Sequence, residues 1–143
     1  MTCTFFGHSD ASRDILPLIK TTIINLITEQ NVDNFLVGEQ GNFDYMVRDV
    51  LRELKAIYPH ISYSIVLAYM PSKKHECDFR DYSDTIYPHG LEKTPIKFAI
   101  LKRNEWLIKN SDIVVTYVKY SFGGAAKAKE LAERKGKRVI NII

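Results

Sequence analysis

Five short apolar runs, rich in β-branched and aromatic residues, alternate with longer stretches of helical period, which is the pattern of βα units and a parallel sheet. The expected strands are Thr2 to Phe6, Phe35 to Val37, Tyr63 to Ala68, Ile113 to Val118 and Arg138 to Ile142. Helices are expected near Ser12 to Gln30, Phe43 to Tyr58, Pro95 to Asn110 and Gly124 to Lys135. Pro17 lacks a backbone donor, so the first helix should start late or bend there. Thr94-Pro95 reads as an N-cap followed by proline at the first helical position, and Gly136 reads as the stop of the last helix. About 25 residues, Met70 to Thr94, separate the third strand from the third helix, a length that predicts a lid or flap.

With 143 residues, 45% of them hydrophobic and 26% charged, the chain suits one domain over residues 1–143 with a core of its own. The formal charge of +3 is mildly basic, and Lys and Arg are scattered among Asp and Glu, which argues against nucleic acid as a partner. The start, Met1-Thr2-Cys3-Thr4-Phe5-Phe6-Gly7, has no basic n-region and no long apolar stretch, and no segment approaches the ~18 uninterrupted apolar residues of a membrane span. A cytoplasmic protein with no membrane partner is expected. Cys3 in an apparent buried strand and Cys77 in a polar loop do not make a disulfide framework, and Cys3 is most simply a small core residue. His75, Glu76, Cys77 and Asp78 fail as a metal site, because consecutive residues diverge and no second paired ligand set exists. No metal and no cofactor are expected.

Arg103 is the residue that points to chemistry. It falls inside the apolar stripe Ile96, Ile100, Leu107, with Asn104 beside it. A guanidinium keeps its proton, so burial demands an anion, either a carboxylate of this protein or a ligand phosphate. In an open parallel sheet ligands bind beyond the carboxyl ends of the strands, where the strand order reverses. Glycines cluster there: Gly7-His8-Ser9 after the first strand, Gly38-Glu39-Gln40-Gly41 after the second, and Gly123-Gly124-Ala125 after the fourth. They let backbone N–H groups approach an anion, and the last two groups lie at helix N-termini, where the dipole favours negative charge. With the strand order 3-2-1-4-5, the first and fourth loops would flank a single crevice suited to phosphate. Tyr117, Tyr120 and Phe122 could stack a base there or pack between strand and helix.

The run Arg103-Asn104-Glu105-Trp106-Leu107-Ile108-Lys109-Asn110-Ser111-Asp112, an apolar strand, then Gly123-Gly124, resembles the SLOG superfamily. That superfamily holds the lonely-guy phosphoribohydrolases and the DNA-processing protein DprA. With Phe6-Gly7-His8-Ser9 near the start and Gly38 and Gly41 before Phe43-Asp44, the whole chain is similar to its small bacterial and phage members. The resemblance implies a Rossmann-like three-layer α/β/α fold with a five-stranded parallel sheet of order 3-2-1-4-5. It also implies a nucleotide-derived small molecule as ligand, and homodimers formed through helices flanking the sheet. From the lonely-guy enzymes it implies Arg103 and Glu130 as catalytic residues in cleavage of an N-glycosidic bond. The glycine motif departs from theirs, with Ala126 and Lys127 in place of a glycine and a threonine.

Two readings stay open. In the first, the chain senses or sequesters its ligand: Arg103 and Asn104 meet an anionic group, Gly7, Ser9, Gly123, Gly124 and Ala125 cradle phosphate, and Asp44 or Glu39 takes sugar hydroxyls. His8 could serve as acid, base or phosphate contact. The alternative is a glycoside-cleaving enzyme on nucleoside phosphates, using Arg103 with Asp44, Glu39 or Glu130. Against Glu130 stands its spacing to Lys127 and Arg134, which predicts a solvated ion-pair ladder on the last helix.

Overall fold

The computed structural model describes residues 1–68 and 85–143. Among them, six parallel strands form one sheet: β1 (Thr2–Gly7), β2 (Asn34–Val37), β3 (Ser62–Val66), β4 (Thr85–Ile86), β5 (Ile113–Tyr117) and β6 (Arg138–Asn141). The helices are α1 (Leu16–Glu29), α2 (Asn42–Ile57), α3 (Ile96–Lys109) and α4 (Gly124–Arg134). The sheet order is β4-β3-β2-β1-β5-β6, which corrects both the expected count of five and the order 3-2-1-4-5. The addition is β4, an edge strand beside β3. Two residues carry no readable period, so β4 left no trace in the hydrophobic pattern. It and a 3-10 turn at Leu91–Lys93 occupy the end of the stretch expected to be a lid; residues 69–84, with His75, Glu76, Cys77 and Asp78, lie outside the described residues.

Side chains alternate across the strands, as the pleat requires. From β1, Cys3 and Phe5 enter a core with Ile19 and Ile23 of α1 and Met46 and Leu54 of α2, while Phe6 turns to the opposite face and meets Leu107 of α3 and Ala128 of α4. β5 divides likewise, Ile113 and Val115 to the first face and Val114 to the second. Helices on both faces make three layers. The α1/α2 side is the larger core, with Phe5 and Phe35 stacked at 6.0 Å. Thr4 is buried and its hydroxyl donates to the Leu36 carbonyl at 2.9 Å, so β1 carries no unsatisfied polar side chain there. Burial drives the Cys3 thiol pKa far up, leaving a small inert core residue.

Local chemistry explains the shifted boundaries. Ser12 accepts from the Asp14 N–H at 3.2 Å and opens a 3-10 turn, and α1 begins only at Leu16, with Pro17 where no helical donor is needed. At α3 the expected cap moves by one residue. Pro95 is the N-cap and the Thr94 hydroxyl donates to the Gly90 carbonyl instead. Gly136 ends α4 with φ +74°, its N–H donating to Glu133 and the Lys137 N–H to Ala132, a Schellman closure.

The chain builds outward from β1 through β4, then crosses to place β5 on the free side of β1, where Cys3 to Gly7 pair with Ile113 to Tyr117. The winding direction reverses between these two strands, so the loops leaving them part toward opposite faces and open a crevice. No helix among the described residues is long and apolar enough to cross a membrane.

Candidate functional site

A cavity of about 450 Å³ occupies that crevice. Its walls come from the end of β1 and the loop after it, the loop after β5, the loop before α2 and its first turn, the middle of α3 and the start of α4.

Arg103 forms the floor. It is only 3% exposed, so the burial read from the sequence is observed, but the stripe is not the expected one. Ile96 is 74% exposed and Ile100 lies at the cavity wall, and the buried line of α3 runs Ala99, Arg103, Leu107. Ile96 and Ile100 fall within about 60° of Arg103 around the helix, so what sets them apart from most of the buried line is a place nearer the N-terminal end of α3 and not the face. The guanidinium is held as a rigid fork: Nη1 donates to the Val66 carbonyl at 3.1 Å and Nε to Asn104 Oδ1 at 2.9 Å.

Asp44 supplies negative charge beside it. The carboxylate stands at the third position of α2, where it accepts the Gln40 N–H at 2.9 Å, so it complements the helix end and faces Arg103 together. Desolvation by burial pushes its pKa up, against the lowering effects of the Gln40 hydrogen bond and the Arg103 charge. A carboxylate with a raised folded pKa holds its proton more tightly in the native state, so its contribution to stability is present at acid pH and is lost as pH rises through that pKa. The stability of the wild type minus that of Asp44→Asn is therefore expected to fall as pH climbs above the ordinary carboxylate range. Urea unfolding at a series of pH values measures it, and a flat difference would mean a hydrated Asp44.

Gly38 makes the pair possible. A Cβ there would stand 2.7 Å from Arg103 Nη1 and 3.0 Å from Asp44 Oδ2. Gly41 likewise serves packing, since its Cβ would fall 2.5 Å from Ser9, whose carbonyl accepts the Asn42 N–H at 2.9 Å. At the start of α2 the Asn42 N–H is thus taken by Ser9, and Asp44 fixes the Gln40 N–H just ahead of the helix. Gly38, Glu39 and Gly41 accordingly lie outside the cavity lining, while Gln40 between them is part of it.

The start of α4 differs in its glycines: Gly123, with φ +95°, and Gly124 have open space where a Cβ would project, and, as at α1, α2 and α3, no side chain among the described residues caps the helix. Gly123, Gly124 and Ala125 line the cavity, so the first N–H groups of an 11-residue helix border it.

Gly7, His8 and Ser9 also line the cavity, as does Asn104. His8 Nε2 accepts the Lys119 N–H at 2.8 Å, which assigns the proton to Nδ1, and its ring lies 4.6 Å from that of Tyr120. It ties the loop after β1 to the loop after β5. Tyr117 is buried against Phe43, whereas Tyr120 and Phe122 stand at the cavity wall. Glu130 does not line the cavity; it is exposed on α4, and among the described residues the ion pair of that helix is Lys129–Glu133 at 2.6 Å rather than a ladder through Lys127 and Arg134. Asp10 and Gln40 are wall residues that sequence reading missed. Gln40 lies inside the Gly38–Gly41 run but is not itself one of the expected site residues, Asp10 belongs to no motif, and the packing of the two loops brings both in.

No family model matches the chain, and no curated protein matches it. Among solved structures it is similar to DNA processing protein A (DprA) from Streptococcus pneumoniae, with a TM-score of 0.71 and 16% sequence identity over 96% of this chain and 48% of that one. The chain spans about half the length of that protein. At this identity the likeness speaks for architecture, and the chain has a Rossmann-like α/β fold shared with DprA.

Proposed function

We propose that the chain is a SLOG-type domain that binds a nucleoside monophosphate, or a close derivative, in the crevice between β1 and β5. The observation that carries the reading is the glycine start of α4, with open space at Gly123 and Gly124, bordering a cavity that is also lined by the buried Arg103. A phosphate would sit against the N–H groups of Gly123, Gly124 and Ala125, where helix dipole and backbone donors act together. The other charged groups of the wall, Asp10 and Asp44, are acids suited to accept sugar hydroxyls. They disfavour a second phosphate. A volume of about 450 Å³, near the small end of the ~300–1,000 Å³ range of ligand pockets, agrees with one nucleotide.

Glu130 lies outside the cavity lining, so the glycoside-cleaving alternative would have to draw its carboxylate from Asp44 beside Arg103. DprA is named for DNA processing; here two acids at the cavity wall favour a small ligand over a phosphodiester chain. The test is a thermal-shift series with nucleoside monophosphates, cyclic dinucleotides and ADP-ribose, followed by chromatography for free base. Monophosphates are expected to stabilise the fold by about 2.7 kcal/mol at roughly 100 times Kd, with no base released. Base released by the wild type and not by Arg103→Ala would overturn the binding reading in favour of cleavage. Absence of any shift would overturn both.

A further inference from the structure

The wall next to α4 carries a feature that phosphate and sugar do not use. His8, Tyr120 and Phe122 form a ladder of rings: His8 to Tyr120 is 4.6 Å between centroids, and Tyr120 to Phe122 is 5.3 Å with planes 12° apart. The ladder climbs from the loop anchored by the His8–Lys119 hydrogen bond to the rim of the cavity. Tyr120 is 45% exposed and Phe122 is 70% exposed. One face of the Phe122 ring is engaged by Tyr120, and most of the remaining ring area is open. A large ring left this far in water gains little for the fold by packing alone, and it shares the cavity wall with apolar Phe6 and Ile100 as well as with polar Asn104, Asp44, Asp10 and Gln40.

We infer that Phe122 is a stacking platform for the base of the ligand, with Tyr120 and His8 holding it in place. The inference rests on the nucleotide reading above and adds the part of the ligand that sets its selectivity. Phe122 immediately precedes Gly123, so a base on its ring leaves the phosphate at the N–H groups of Gly123 and Gly124 and the sugar over the cavity, toward the acids. A ring face reads stacking area and polarisability, which every base offers, and not the hydrogen-bonding edge that distinguishes one base from another. The site therefore ranks ligands by ring size: AMP and GMP bind alike, UMP more weakly, and ribose 5-phosphate, which has no base, most weakly.

Isothermal titration of the wild type, Phe122→Ala and Phe122→Trp with AMP, GMP, UMP and ribose 5-phosphate tests this. Stacking on one aromatic ring predicts that AMP and GMP bind about tenfold more tightly than ribose 5-phosphate. Phe122→Ala should erase that advantage and leave ribose 5-phosphate unchanged, and Phe122→Trp should restore it. Because Phe122 is exposed, its loss leaves the core intact, and circular dichroism of the alanine variant checks that the fold persists. Equal affinity for AMP and ribose 5-phosphate, or an equal loss for both in Phe122→Ala, would overturn the platform and leave the nucleotide site standing. Silence of all four probes would overturn the site as well.

Discussion

Arg103→Ala is expected to lower the stability of the fold by about 3 kcal/mol, near the lower end of what removing one partner of a buried charge pair costs. The substitution strips donors from the Val66 carbonyl and Asn104 Oδ1 and leaves Asp44 without the cation beside it. The stranded acid makes a sharper prediction than the loss itself. Adding Asp44→Asn to Arg103→Ala should recover part of the lost stability, because a neutral amide keeps an oxygen to accept the Gln40 N–H without a buried charge. Arg103→Lys should fall between, since an ammonium cannot reproduce the fork. Urea unfolding of the four proteins at neutral pH measures these differences. An Arg103→Ala protein within about 0.5 kcal/mol of the wild type would mean that the cation does not hold the floor.

The second large effect lies one strand away. Gly7→Ala places a Cβ 2.2 Å from Phe43 Cγ, at the root of a ring that is itself buried and stacked on Tyr117 at 6.1 Å. The ring has no free direction in which to retreat, so overpacking should cost about 2 to 3 kcal/mol. Phe43→Ala removes Cγ and both Cδ atoms and should relieve the clash, and the double variant should be more stable than the sum of the two single losses by about 1 kcal/mol or more. The readout is a double-mutant cycle from denaturant midpoints. Strict additivity would show that the loop after β1 shifts aside freely, and His8 and Ser9 would then not be held at the cavity wall.

These residues also mark what could be read from the sequence. The βα alternation and the crevice between β1 and β5 were legible because strand and helix periods are long-range statistical signals, carried by many residues such as Cys3, Phe5, Ile113 and Val115. Burial of Arg103 was legible for the same reason. The two-residue β4 was not, because nothing periodic distinguishes it. Gly7, Gly38 and Gly41 occupy the expected loops, and each is small because of a partner distant in sequence, namely Phe43, Arg103 and Ser9, with Gly7 also lining the cavity. Of the glycines in these three loops, Gly123 and Gly124 alone face open space. Close approach between loops is a tertiary fact that a single sequence does not encode locally. The exposure of Phe122 is another, since its neighbour Tyr117, only five residues away, is core.

The central claim is that the start of α4 and the floor beneath it receive a nucleotide phosphate. Titrating AMP into isotopically labelled protein and following backbone amide resonances tests it most directly. The largest shifts are expected at Gly123, Gly124 and Ala125, with smaller ones at His8 and Gln40, and they should disappear in Arg103→Ala when that variant is folded. Undisturbed amides at those positions, with AMP bound elsewhere or not at all, would contradict it.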